Sequence, residues 1–184
     1  LVCAATGFAA IRVPPWGVNQ RERVAAAEAA QNKINPRLFR CLVGGRQLPP
    51  VEGCLFGPNA DGAAPDVIVW GDSHADHLVP GVARLADEEG FVGRQITQNA
   101  CPPLLGVTPD FNKQCVFFND AVVELLEASP KVRLVILAAR WGLYAETKRP
   151  GTQYSFQLTD ATSTSSAVED SARVLGRGLE RTLD

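Results

Sequence analysis

One stretch near the middle of the chain constrains the fold more than any other. Residues 67–70 are the large apolar side chains Val, Ile, Val and Trp, and the chain continues as Gly71, Asp72, Ser73 and His74. Such a run, followed at once by glycine and polar residues, is typical of a strand that is buried on both faces and ends at the edge of a parallel sheet. The sequence therefore predicts a buried central strand with Ser73 at its carboxyl end.

A helix is predicted directly after this strand. Its apolar residues recur at intervals of three and four between positions 75 and 86, which places them on one face. Gly71 supplies the backbone freedom for the turn, and the first amides of the helix point back toward Ser73, where they can stabilise a developing negative charge. The simpler interpretation is that Asp72 or Ser73 only caps the helix.

Two further strands are predicted at 92–97 and 132–139, with an amphipathic helix between them that closes at Ser129-Pro130. Together with the strand at 66–71 they alternate with helices. This order predicts an α/β fold with three layers, α/β/α, around a flavodoxin-like parallel sheet.

The carboxyl ends of these strands are expected to form the binding site, because ligands of open α/β sheets bind at that edge. A turn that begins at Asn99 follows the second strand, and Arg140-Trp141 follows the third. We therefore expect Ser73, the Asn99 turn and Arg140-Trp141 to converge on one cleft.

The chain divides into three predicted parts. Residues 1–18 begin with an apolar stretch that is either the end of a transmembrane helix or an ordinary hydrophobic segment. Residues 19–64 are predicted to be a linking region, with an exposed helix first and then a loop rich in glycine and proline. Residues 65–184 are predicted to be the main domain, with a polar loop at 144–164.

The sequence given ends in a predicted helix. Ser166 and Glu169 have the spacing of a capping box. The apolar face of this helix is predicted to consist of Val168, Ala172, Leu175 and Leu179. Since another strand usually follows such a helix in a parallel α/β fold, we expect the native protein to continue past residue 184.

Cysteine usage indicates an oxidising compartment. Four of the five cysteines form two pairs that are close in sequence, and none belongs to a C-x-x-C motif. Closing either loop by a disulfide is worth about 3 kcal/mol in the chain-entropy model, and neither spacing is that of a zinc knuckle. We predict disulfides Cys41–Cys54 and Cys101–Cys115 and a free Cys3; the alternative is four unrelated buried thiols.

The charge balance argues against nucleic acid as a partner. Lys and Arg number 18 against 20 Asp and Glu, and no basic cluster is long enough to follow a phosphate backbone. We predict neither a nucleic-acid partner nor a cofactor.

The motifs together resemble a known family. A strand that ends in Gly71-Asp72-Ser73 and opens a helix resembles the first block of the SGNH (GDSL-like) hydrolases, α/β serine esterases and acyl-transfer enzymes. With His74-Ala75, Cys-Pro-Pro at 101–103 and Ala-Ala-Arg-Trp at 138–141, the set is similar more specifically to the extracytoplasmic SGNH domain fused to acyltransferase-3 membrane proteins, which are O-acetyltransferases of surface polysaccharides. Residues 1–18 match the exit of a membrane helix in such proteins.

The resemblance implies serine-dependent acyl transfer, by analogy of an acetyl group, to or from hydroxyls of a cell-surface polysaccharide. Ser73 is then the catalytic nucleophile. A fused membrane acyltransferase domain is expected to handle the acyl donor, and this domain is expected to be membrane-anchored on the periplasmic or extracellular side.

Other residues near Ser73 receive supporting roles. The family's Gly-x-Asn-Asp is absent after the third strand, so the oxyanion or the substrate is expected to be bound by Asn99, Arg140 and Trp141. Asp72, His74 and His77 are expected to contact the residues that bind the substrate and not the substrate itself.

The sequence departs from the family at the general base. The family's Asp-x-x-His is missing, and the only histidines are His74 and His77. His74 is adjacent to the nucleophile, which is poor geometry for a base, and His77 is expected to serve on the helix surface or in support. We expect the base to lie beyond this segment; otherwise the domain is inactive.

Two other classes of function are open. Asp72, Asp76 and the two histidines can be interpreted as a metal site, but they do not share a helix face as a His-x-x-x-His pair does, so no metal is predicted. The stronger rival is a non-catalytic carbohydrate-binding domain of the same fold, with Trp70, Trp141 and Tyr144 stacking on sugar rings.

Overall fold

The computed structural model describes residues 35–147, 156–163 and 168–184, with the side chains of Val168 and Glu169 left aside. Four predictions fall outside these ranges: the apolar segment at 1–18, the exposed helix before residue 35, the thiol of Cys3 and the capping box at 166–169. Within the described ranges, no helix is both long enough and apolar enough to cross a membrane.

The core of the domain is a five-stranded sheet. Its strands are β1 (Leu42–Val43), β2 (Leu55–Phe56), β3 (Val67–Gly71), β4 (Gly93–Gln98) and β6 (Leu134–Ala138). The order is β1-β4-β3-β6, all parallel, and β2 pairs antiparallel with β4. Two short strands, β5 (Thr108–Pro109) and β7 (Leu158–Thr159), form a separate antiparallel pair.

Helices cover both faces of this sheet. They are α1 (Leu38–Cys41), α2 (Ser73–Glu89), α3 (Cys115–Glu127), α4 (Trp141–Glu146) and α5 (Val168–Leu183). Val69 packs with Val79 of α2 on one face, whereas Ile68 packs with Phe118 of α3 on the other. The prediction of three α/β/α layers with a parallel sheet is therefore confirmed.

Three details differ from the sequence prediction. The supposed linking region 19–64 contributes β1 and β2 to the sheet, because both pair with β4. The supposed loop 144–164 carries the end of α4 and all of β7. On α5 the buried positions include Ser171 and Val174, whereas Ala172 is exposed, so the packed face is rotated by one residue.

Close contact between β3 and β6 sets the position of the site. Gly71 pairs with Ala138, and a Cβ on Gly71 would lie 1.7 Å from the Ala138 carbonyl oxygen. Only glycine allows the two strands to end side by side at this distance. The segments that leave these strands, each rich in polar residues, therefore begin next to each other.

Both predicted disulfides are present, Cys41–Cys54 and Cys101–Cys115. The first ties α1 to the segment before β2. The second links the turn after β4 to the start of α3. It therefore anchors the Asn99 turn at Cys101, two residues after Asn99.

Candidate active site

The turn between β3 and α2 is organised by one carboxylate. Asp72 is the N-cap of α2, and its Oδ1 accepts a hydrogen bond of 2.7 Å from the His74 amide, as expected of a helix cap. Its Oδ2 accepts from the Arg140 amide at 3.0 Å and from the Tyr144 hydroxyl at 2.8 Å. Because Asp72 is only 2 % exposed, these three donors take the place of water around its charge.

Tyr144 remains a hydrogen-bond donor at any physiological pH. Burial, followed by the charge of Asp72 and the hydrogen bond to it, raises the pKa of Tyr144 far above its ordinary value. Its ring is enclosed by α5 and the β5–β7 pair, where it packs with Val107, Leu158 and Val174.

Ser73 lies in a cleft with a volume of about 150 Å³ at the carboxyl ends of β3, β4 and β6. Around Ser73 the lining includes His74, Asn99, Phe111, Arg140 and Phe156. The structure thus brings together Ser73, Asn99 and Arg140 as the sequence predicted. The cleft is not the main cavity, however, because a larger one of about 560 Å³ lies near Arg37 and Asp87.

The Ser73 hydroxyl is half-buried and has no hydrogen-bond partner within the described ranges. The amide of Ser73 is the first of α2 and likewise has no acceptor there. A serine nucleophile needs an accessible hydroxyl for the attack and a nearby amide to donate to the oxyanion. Ser73 has both groups available.

The Asn99 turn is held in place from several sides. The Asn99 amide donates to the Val43 carbonyl at 3.0 Å, and its carbonyl accepts from the Asn112 side chain at 3.0 Å. The next residue, Ala100, has a left-handed backbone with φ of 53°. The turn therefore presents the Asn99 side chain to the cleft from a fixed backbone.

Neither histidine is hydrogen-bonded to Ser73 in the described part of the chain. His74 Nδ1 lies 3.6 Å from Asp72 Oδ1, and its ring meets that of His77 edge-on at 6.2 Å. His77 is exposed on α2 and is not part of the cleft lining, in agreement with a surface role.

Comparisons with known proteins identify the family of this chain. The family described as "SGNH domain (fused to AT3 domains)" matches residues 40–184. The chain belongs to this family. Among solved structures, the periplasmic domain of a lipopolysaccharide acetyltransferase from Salmonella ser. Paratyphi A is similar at 15 % identity and a TM-score of 0.35, over 90 % of this chain and 78 % of that one. No curated protein matches the chain.

The three aromatic residues of this SGNH domain considered for sugar stacking are either buried or outside the cleft lining. Trp70 is buried in the core and donates to Asn119 at 3.1 Å, and Tyr144 is buried on Asp72, so neither can stack on a sugar. Trp141 packs against the cluster around Leu104 and is absent from the cleft lining.

Phe111 and Phe156 are the cleft residues that the sequence analysis missed. Their rings meet edge-on at 4.7 Å, and Phe111 is 37 % exposed. Phe111 is also stacked toward Tyr144 at 6.4 Å. Their sequence neighbourhoods carry no periodic pattern, because both belong to segments around the short β5–β7 pair.

The four residues considered as metal ligands do not converge on one point in the structure, because Asp76 lies apart from the two histidines. Asp76 is 1 % exposed and accepts from the side chains of Asn35 at 2.6 Å and Gln95 at 2.7 Å, beneath α2, whereas the histidines face outward. In the described part of the chain, no group of three or more His, Cys, Asp or Glu is placed to hold a metal ion.

Proposed function

We propose that this SGNH domain performs serine-dependent transfer of an acyl group, by preference acetyl, to or from hydroxyls of a cell-surface polysaccharide, with Ser73 as the nucleophile. One observation carries the proposal. Ser73 stands at the first turn of α2 with a free hydroxyl and a free amide, in a cleft that it shares with Asn99 and Arg140.

The chemistry follows from that placement. The Ser73 oxygen attacks the acyl carbonyl, and its proton passes to a base. The oxyanion that forms is stabilised by the Ser73 amide and by a donor from Asn99 or Arg140. When this intermediate collapses, the remainder of the acyl-donor molecule leaves and takes up the proton from the base. An acyl ester is left on Ser73, and a sugar hydroxyl or water then cleaves it.

The base in this proposal comes from outside the described residues, since neither His74 nor His77 reaches Ser73. Acylation of Ser73 in this segment alone is therefore slow, because removing one member of such a triad removes most of the rate.

Two observations support an extracytoplasmic place and a membrane partner. The two disulfides are typical of an oxidising compartment. The family is described by its fusion to AT3 domains, which supports an acyl donor delivered by a membrane acyltransferase domain of the same polypeptide.

A non-catalytic carbohydrate-binding domain is the second candidate. It is favoured because no base among the described residues is hydrogen-bonded to Ser73, and the exposed ring of Phe111 offers a surface for a sugar.

Hydrolysis of p-nitrophenyl acetate with added imidazole separates the two candidates, because imidazole can replace a missing base. The acyl-transfer proposal predicts a rate that rises with imidazole above the background of Ser73→Ala, and an acetyl group on the peptide that contains Ser73. Ser171→Ala is the matched control and should hydrolyse the ester at the wild-type rate. Equal rates for wild type and Ser73→Ala at every imidazole concentration would favour the binding domain.

A further inference from the structure

Tyr144 occupies a special place next to the cleft. Its hydroxyl donates to Asp72 Oδ2 at 2.8 Å, the same oxygen that accepts from the Arg140 amide at 3.0 Å. Asp72 directly precedes Ser73, and Arg140 is the N-cap of the helix that carries Tyr144. One oxygen therefore joins the segment that bears the nucleophile to the segment that bears Arg140.

We propose that Tyr144 is a positioning residue, whose hydroxyl fixes the Asp72 carboxylate and thereby holds Ser73 and Arg140 in register across the cleft. The proposal rests on the proposed function of Ser73 and deepens it. Of the three donors to Asp72, Tyr144 is the only side chain; the other two are backbone amides.

The hydroxyl is suited to this role because its ring is held by close packing. Tyr144 is 1 % exposed and packs among Leu104, Val107, Leu158 and Val174. The χ2 torsion of an aspartate is soft, so a carboxylate without such a donor can rotate about it. A donor on a fixed ring removes that freedom, as a supporting residue must if the reacting groups are to keep their geometry.

A purely structural role makes a different prediction. A hydrogen bond from a buried hydroxyl to a carboxylate stabilises the folded state anywhere in a protein. If Tyr144 has only this role, loss of its hydroxyl lowers stability and leaves the reactivity of Ser73 unchanged. A positioning role predicts that Ser73 also becomes less reactive, and that the amide of Arg140 changes its surroundings.

The test compares Tyr144→Phe with Ser171→Ala in the purified chain. Phenylalanine keeps the packed ring and removes only the hydroxyl. Ser171 is also fully buried and its hydroxyl accepts from the Leu158 amide at 3.0 Å, but it lies on α5 outside the cleft lining. Three quantities are measured: the rate of Ser73 labelling by a fluorophosphonate, the amide resonances of His74 and Arg140, and the urea midpoint of unfolding.

We expect both variants to unfold at lower urea, but only Tyr144→Phe to label about tenfold more slowly, since misplacement by a fraction of an ångström already slows an oriented reaction. Only Tyr144→Phe should shift the Arg140 amide. In an Asp72→Asn background, Tyr144→Phe should add little, because coupled residues are not additive.

Wild-type labelling in Tyr144→Phe, with unmoved amide resonances, would overturn the proposal. If the wild-type chain is not labelled at all, the proposed function fails, and the Arg140 resonance then decides the positioning separately: a shift supports it and an unmoved resonance overturns it.

Discussion

The amide of Arg140 donates a hydrogen bond to Asp72 Oδ2 at 3.0 Å. A second bond of 3.3 Å runs the other way across the same gap, from the Asp72 amide to the Ala138 carbonyl. The exits of β3 and β6 are thus tied by a pair of bonds one residue away from Ser73. The side of the cleft that carries Ser73 and Arg140 is therefore tied directly to the sheet.

Gly71→Ala tests this close approach. The new Cβ would meet the Ala138 carbonyl oxygen at 1.7 Å, a contact that only a movement of β3 or β6 can relieve. We expect a loss of about 3 kcal/mol or more in the free energy of unfolding, as for other severe steric changes in a core. Urea unfolding followed by circular dichroism measures it.

Gly81→Ala is the matched control, since nothing lies within 4 Å of a Cβ at that position of α2. Alanine should stabilise the helix there by about 0.5–1 kcal/mol. Equal effects of the two substitutions would contradict the packing described at Gly71.

Removal of the disulfide Cys101–Cys115 by a double substitution with alanine should lower the free energy of unfolding by about 3 kcal/mol. The Asn99 turn should also lose its fixed backbone, because the bridge lies directly behind it. Hydrogen exchange of the Asn99 amide reports this loss. An unchanged urea midpoint would contradict it, and so would free thiols at Cys101 and Cys115 in the unreduced wild-type protein.

Stability should fall on acidification because of Asp160. Hydrogen bonds from Arg177 lead the causes that lower the pKa of Asp160 far below its usual range, followed in the same direction by Thr162 and Ser163. The pKa of Asp160 in the folded state is below its unfolded value of about 3.9. The ionised carboxylate therefore stabilises the folded state above about pH 3.9, and this stabilisation is lost as the pH falls through the folded-state pKa.

The measurement is the urea midpoint between about pH 5 and pH 2 for wild type and Asp160→Asn. The variant should be less stable at pH 7, and its stability should fall less steeply in acid. Parallel curves for the two proteins would show that Asp160 contributes no such linkage.

His77→Ala should leave the imidazole-supported, Ser73-dependent rate within about twofold of wild type, because His77 lies outside the lining of the cleft. The assay is p-nitrophenyl acetate hydrolysis with Ser73→Ala as background. Strong activity of the unmodified chain without imidazole, abolished by His77→Ala, would make His77 the base.

Much of the fold could be predicted from local patterns. The apolar run before Gly71 and the three-and-four spacing after Ser73 are strong signals. β3 begins one residue after its predicted start, and α2 includes all the predicted apolar positions between 75 and 86. The position of Arg140 followed from strand order alone, since parallel strands present their carboxyl ends to one edge.

The remainder depended on long-range contacts. β1 and β2 are two residues each and are strands only because they pair with β4, so no period in the sequence marks them. The roles of Tyr144 and Phe111 likewise arise from packing around β5 and β7. The sequence alone does not show which aromatic side chains are buried, as Tyr144 is, and which are exposed, as Phe111 is.

The central claim is that Ser73 is a reactive nucleophile, and covalent labelling tests it most directly. The purified chain is treated with a fluorophosphonate, and the modified peptide is identified by mass spectrometry, with Ser73→Ala and Ser171→Ala in parallel. The account predicts slow modification of Ser73 alone, accelerated by imidazole, preserved in Ser171→Ala and lost in Ser73→Ala. An unmodified Ser73 under all conditions, or labelling that survives Ser73→Ala, would contradict it.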